Sequence, residues 1–171
     1  MAAVNFGDTT APSAGSYHSE NYIYCSKITA NGTYTVDSVN IWISATGKPT
    51  TGSMKCALYT ATGLYGLAGT LLTNGTTEEK AYSTITGGQW TTFLFGTPPS
   101  ITATSYWIAV WSDNSWNSAK GAGGSNNWGY FAKAYGAWPA TADELSSGSF
   151  SDVDIYIACS SAAWTPRIII I

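Results

Sequence analysis

Three close pairs of carboxylates, Glu78-Glu79, Asp143-Glu144 and Asp152-Val153-Asp154, are the first residues that could do chemistry. A glycosidase sets two carboxyls facing each other across a cleft, and adjacency along a chain does not supply that. Solvated turns account for the pairs. The only histidine, His18, lies in a polar N-terminal segment with no acidic phrase beside it, so a Ser-His-Asp assembly would rest on composition alone. Gly121-Ala122-Gly123-Gly124 lacks the following lysine and the strand-to-helix setting of a phosphate loop. No catalytic residue is expected, and the chain reads as no enzyme.

Cys25, Cys56 and Cys159 each sit in an apolar alternating run: Ile23-Tyr24-Cys25, Met54-Lys55-Cys56-Ala57-Leu58 and Ile157-Ala158-Cys159. Such a cysteine serves as a small buried hydrophobe, although one bridge with one thiol left free would also use the set. Metal binding through these thiols and His18 would have to gather distant positions without a close-spaced ligand pair, so no metal site is expected. Asp113, Asp152 or Asp154 could join backbone carbonyls around a structural calcium, but no loop carries an oxygen-ligand spacing. No cofactor is expected.

Aromatic residues are the surplus, since eight Trp and eleven Tyr exceed what one core of a 171-residue chain needs. Trp42, Trp90, Trp107 and Trp111 fall in strand-like runs, which predicts packing between sheets or against a flank of one. Trp116, Trp128, Tyr130, Tyr135 and Trp138 crowd into a loop-rich stretch instead. A flat ring beside Asn and Ser can stack on the apolar face of a sugar while amides bind its hydroxyls. These residues are the candidate glycan-binding set. A second hydrophobic cluster under a long loop, or a contact with a neighbouring subunit, would use the same rings.

Strands must position these side chains, because helix signals are nearly absent. Val39, Ile41 and Ile43 alternate with Asn40, Trp42 and Ser44, and Met54, Cys56 and Leu58 with Lys55, Ala57 and Tyr59, which is the period of a half-buried strand. Strands are predicted over residues 22–29, 36–44, 53–60, 90–95, 105–112, 128–134 and 152–160, and in the tail from Trp164. Asn31-Gly32, Thr46-Gly47-Lys48-Pro49, Asn74-Gly75, Gly87-Gly88 and Thr97-Pro98-Pro99 read as turns. Asn31-Gly32-Thr33 and Asn74-Gly75-Thr76 also match the glycosylation acceptor pattern. Residues 113–127 read as a surface loop around Trp116. The pattern predicts an all-β fold, a two-sheet antiparallel β-sandwich, as one domain over residues 1–171.

Only 10% of residues are charged against 44% hydrophobic, so hydroxyls and amides must keep the chain in solution. Many extracellular and virion-surface proteins share that composition. Seven Lys and Arg without a cluster, at net charge −3, leave no footprint for nucleic acid or anionic lipid. No run is long enough to insert across a membrane. The opening Met1 to Asp8 lacks the basic start and apolar stretch of a signal peptide, which suits a virion protein released by lysis or a module cut from a larger secreted protein.

The order of phrases carries a resemblance. Val36-Asp37-Ser38-Val39-Asn40-Ile41-Trp42-Ile43, Met54-Lys55-Cys56-Ala57-Leu58-Tyr59-Thr60, Gly69-Thr70-Leu71-Leu72, Gln89-Trp90-Thr91-Thr92-Phe93, Ile101-Thr102-Ala103 and Tyr106-Trp107-Ile108-Ala109-Val110 follow one another. Together they resemble a recurrent jelly-roll module of secreted microbial surface proteins, often found beside glycan-active domains, and of phage structural proteins. Tyr135-Gly136-Ala137-Trp138-Pro139 and Asp154-Ile155-Tyr156-Ile157-Ala158 are similar to its closing hairpin. The resemblance implies a jelly roll and brings no catalytic residues.

The tail leads from Trp164 into Ile168, Ile169, Ile170 and Ile171. Successive strand side chains point to opposite faces, so this run needs cover on both. A central strand of the domain's own sandwich would have it. Docking on a neighbouring subunit is favoured, because an exposed run of this kind invites aggregation. Trp164 and Ile168 to Ile171 are the candidate assembly residues of a tail at 164–171. The sequence therefore points to a non-catalytic structural or surface subunit of a virion or other extracellular assembly, of decoration, fibre or filament type. Its partners would be itself or other subunits, with polysaccharide a further partner of the aromatic set. The alternative is a carbohydrate-binding module of a secreted microbial protein.

Overall fold

The computed structural model describes residues 3–10, 15–63, 69–119, 128–142 and 155–161. The strands are β1 (Val4–Gly7), β2 (Gly15–His18), β3 (Tyr22–Thr29), β4 (Tyr34–Ile43), β5 (Ser53–Thr60), β6 (Leu71–Ala81), β7 (Gln89–Leu94), β8 (Ser100–Ile101), β9 (Ser105–Ser112), β10 (Trp116–Ala119), β11 (Trp128–Ala132) and β12 (Ile155–Ser161). A single 3-10 turn, Tyr82–Thr84, is the helical element among the described residues.

Two antiparallel sheets face each other. The front sheet has seven strands, with β7 and β8 on one edge of β4, β12 and β10 on its other side, and β1 and β2 beyond those. The back sheet runs β11-β3-β9-β5-β6. With β1/β2, β12/β10, β4 and β7/β8 each taken as one row, opposed to β3, β9, β5 and β6, the order is that of a jelly roll. The expected all-β sandwich is the observed fold.

Alternation decides what each sheet buries. Val39, Ile41 and Ile43 of β4, Phe93 of β7 and Ile155 and Ile157 of β12 meet Met54, Cys56 and Leu58 of β5 and Ile108 and Val110 of β9 in one fully buried cluster. In β9 the other parity, Trp107, Ala109 and Trp111, is buried as well and belongs to a separate cluster on the outer side of the back sheet. A strand apolar on both faces needs cover on both. The cover comes from residues 133–142, a strap that follows β11 over the outer face.

The row beside β4 is made twice. Ser118 of β10 pairs with Ile43, whereas β12 pairs from Ile155 opposite Ile41 to Ser161 opposite Tyr34. Between these strands the chain leaves the front sheet, adds β11 to β3, and lays down the strap. β1 runs beside β12 and ends at Gly7, whose φ of +119° and 2.3 Å approach of an added Cβ to the Ile155 carbonyl leave no room for a side chain.

Several expectations change. Asn74-Gly75 is not a turn: β6 runs through it, with Asn74 at φ 58° and the register against β5 shifting between Ala57 and Tyr59. The extra residues bulge out of an edge strand, which is the other use of an Asn-Gly pair. Residues 113–127 are not one loop, since β10 begins at Trp116. β1, β2, β6 and β8 had no predicted counterpart. Cys25, Cys56 and Cys159 are all free and buried; desolvation pushes the Cys159 thiol up to about 12. The tail from Trp164, including Ile168, Ile169, Ile170 and Ile171, lies outside the described residues.

Candidate functional site

The lone histidine is not at a surface. His18 is 2% exposed, and its Nε2 lies 2.5 Å from Ser118 Oγ, which β10 brings alongside. Its ring stacks on Trp116 at 4.5 Å and meets Tyr24 edge-on at 4.5 Å. Desolvation lowers its pKa to about 3. Nδ1 has no partner among the described residues, so none of them supplies the acid that would orient a general base. The pair is part of the packing.

The carboxylates separate in the same way. Glu78 accepts the Leu94 amide at 3.0 Å and pairs with Lys80 at 3.2 Å; the Leu94 hydrogen bond is the main cause that holds its carboxyl below the usual range. Glu79, on the opposite side of β6, lies 3.8 Å from Lys55. Neighbours on a strand point apart, so these two cannot flank one substrate. Asp113 clamps a turn through the Ser53 amide at 2.8 Å. Asp143, Glu144, Asp152 and Asp154 lie outside the described residues, as does Gly121-Ala122-Gly123-Gly124.

Of the candidate glycan-binding residues, Trp116 is corrected outright: at 1% exposure its ring is sealed between the sheets. Trp128 lies in β11 opposite Ser26. Tyr130 is half-buried and tilts against Tyr24 and Tyr22. Tyr135 and Trp138 belong to the strap, where they pack on Trp111 at 5.3 Å and 5.2 Å. Tyr59 Oη donates to the Pro139 carbonyl at 2.7 Å and Trp111 Nε1 to that of Lys133 at 3.1 Å. The Lys55 ammonium sits 5.0 Å, 4.4 Å and 5.8 Å from the rings of Trp111, Tyr135 and Trp138 and donates to the Gly136 carbonyl. This is the cluster beneath a connecting segment that the same rings could equally have formed.

The outer face of the front sheet is different. Trp42 of β4 pairs directly with Trp90 of β7, their rings 5.7 Å apart and at 86°. Tyr156 of β12 also meets Trp90, at 4.8 Å. All three rings are half-buried and belong to neither hydrophobic cluster. Beneath them Thr92 Oγ1 donates to Asn40 Oδ1 at 2.7 Å, and Asn40 Nδ2 to Ser38 Oγ at 3.0 Å. Sequence reading assigned Trp42 and Trp90 to packing. The signal that separates them was present, because Trp42 is out of phase with Ile41 and Ile43.

Among the described residues, no group of His, Cys, Asp and Glu is placed to hold a metal ion, and no helix is long and apolar enough to cross a membrane. No protein-family model matches the chain, and no curated protein matches it. Among solved structures it is similar to a chain of infectious bursal disease virus, Gt strain, at 12% identity and a TM-score of 0.31, over 95% of this chain. The chain spans 37% of that chain's length, and a likeness this low decides nothing about fold or function.

Proposed function

We propose that this chain is a non-catalytic structural subunit, of the jelly-roll kind found in phage and secreted microbial surface proteins, that presents a surface in a virion or other extracellular assembly. One observation carries the reading: residues 133–142 pack over the outer face of the back sheet, whereas Trp42, Trp90 and Tyr156 on the outer face of the front sheet are only partly buried. Partly exposed rings grouped on one face suit an interaction site. Burial of His18 and separation of Glu78 from Glu79 support a role without chemistry. Native mass measurement and light scattering across a concentration series test it. A defined oligomer, or incorporation into a particle, is the expected result; a monomer at every concentration that also fails to join particles overturns it. No reducing ends should be released from any polysaccharide, and release that a Glu78→Ala change abolishes would contradict the non-catalytic reading. A second reading, a carbohydrate-binding module, is favoured by the rings and amides on the front sheet's outer face.

A further inference from the structure

We infer that the outer face of the front sheet is a binding site for a neutral polysaccharide, formed by Trp42, Trp90 and Tyr156 over the Asn40–Thr92 pair. The assignment rests on the second reading above, supplies its residues and ligand class, and does not require the chain to assemble.

Trp90 on β7 touches both other rings edge to face, its centroid 5.7 Å from that of Trp42 on β4 and 4.8 Å from that of Tyr156 on β12. Three adjoining rings offer a chain of linked sugars more than one apolar contact. Indole and phenol rings combine a large apolar body with a polar handle, and pyranose rings with equatorial hydroxyls offer the matching apolar C–H faces. Thr92 and Asn5 are exposed on the same face, and Asn40, at 5% exposure with its amide bonded on both sides, fixes the floor.

Charge selects the class of glycan. The outward positions around the rings are Ser38, Asn40 and Trp42 on β4, Trp90, Thr92 and Leu94 on β7, and Tyr156 and Ala158 on β12, none of them ionised, and the charge further along this face is an anion, the exposed Asp37 that accepts from Ser160 Oγ at 3.2 Å. With no Lys or Arg there, acidic sugars gain nothing, whereas a neutral chain loses little on leaving water. A second copy of the protein is the competing occupant. Its contacts would favour apolar side chains between the rings, not the exposed Thr92.

Affinity electrophoresis against β-glucan, xylan and galactomannan, with alginate and polygalacturonate as acidic controls, tests the site. Wild-type protein should be retarded by at least one neutral polysaccharide and by neither acidic one. Trp42→Ala and Trp90→Ala should each lose tenfold or more in affinity with circular dichroism unchanged, while Tyr17→Ala, which removes a ring 66% exposed elsewhere on this sheet, should bind as wild type. On unmodified protein, saturating polysaccharide should reduce acrylamide quenching of tryptophan fluorescence, which needs no folded variant. Binding that survives both substitutions, retardation by acidic chains alone, or no retardation at all overturns the site. So does concentration-dependent dimerisation that Trp90→Ala abolishes without any polysaccharide effect. The native mass series is read separately, so a monomer that binds glucan sinks the subunit reading and leaves this one standing.

Discussion

The two outer faces of the sandwich carry similar rings and treat them in opposite ways. Behind the back sheet, Trp107 and Trp111 are 2% and 0% exposed, Trp111 beneath Tyr135 and Trp138 of the strap and Trp107 beside Lys27. In front, Trp42, Trp90 and Tyr156 keep part of their surface in water. The difference is not in the residues but in their cover: residues 133–142 pack on the outer face of the back sheet, and the front rings are less buried. An indole in a strand thus says nothing about core or site until the cover on its face is known.

The sharpest way to break this contrast is to remove a ring from each side. Trp111→Ala should cost about 3–5 kcal/mol in urea denaturation, as for other large aromatics truncated in a core. If Trp42→Ala costs as much, the front face is not open. An acid titration weakens the interior and touches neither face. Burial lowers His18 to about 3 in the folded state from 6.5, so the unfolded chain binds its proton first. Stability is therefore unaffected above pH 6.5, falls as the pH drops below it, and should be lower by about 2 kcal/mol at pH 5. His18→Phe should flatten that slope in thermal melts from pH 7 to pH 4.5.

Smaller effects sharpen the picture of the strap. Lys55→Met removes a cation held against three rings and a donor to the Gly136 carbonyl, which should cost about 1–2 kcal/mol. Hydrogen exchange should quicken at the amides of Leu71 and Ala142, bonded to the carbonyls of Ala140 and Gly69, and not along β4. Smallest is Trp42→Ala itself, at about 1 kcal/mol, the scale of an edge-to-face ring pair.

Much of the fold was legible because alternation is a local signal. The limits of β3, β5 and β9 follow directly from it. β6 was hidden, since an edge strand with exposed Thr, Asn and Glu has no apolar period and its Asn-Gly bulge imitates a turn. β10 was hidden by Ser and Asn around Trp116, whose stacking partner His18 lies about a hundred residues back in the chain. The burial of Trp116 within the candidate set was hidden for the same reason: the sequence shows which rings share a parity, but which face is covered depends on where a distant segment lands.

The doubled row beside β4 also sets the order of events at synthesis. Val36 waits for Cys159 and Val4 for the same residue, so β4 leaves the ribosome with its principal neighbour still untranslated. At roughly 5–20 residues per second the interval lasts several seconds, during which Val39 and Ile41 lie along an unpaired edge. Pairings of such long range fold slowly, in about milliseconds to seconds, and cannot begin before β12 emerges. The nascent chain therefore exposes the unpaired side of β4 until β12 emerges, the interval in which edge-to-edge aggregation competes with closure of the sandwich.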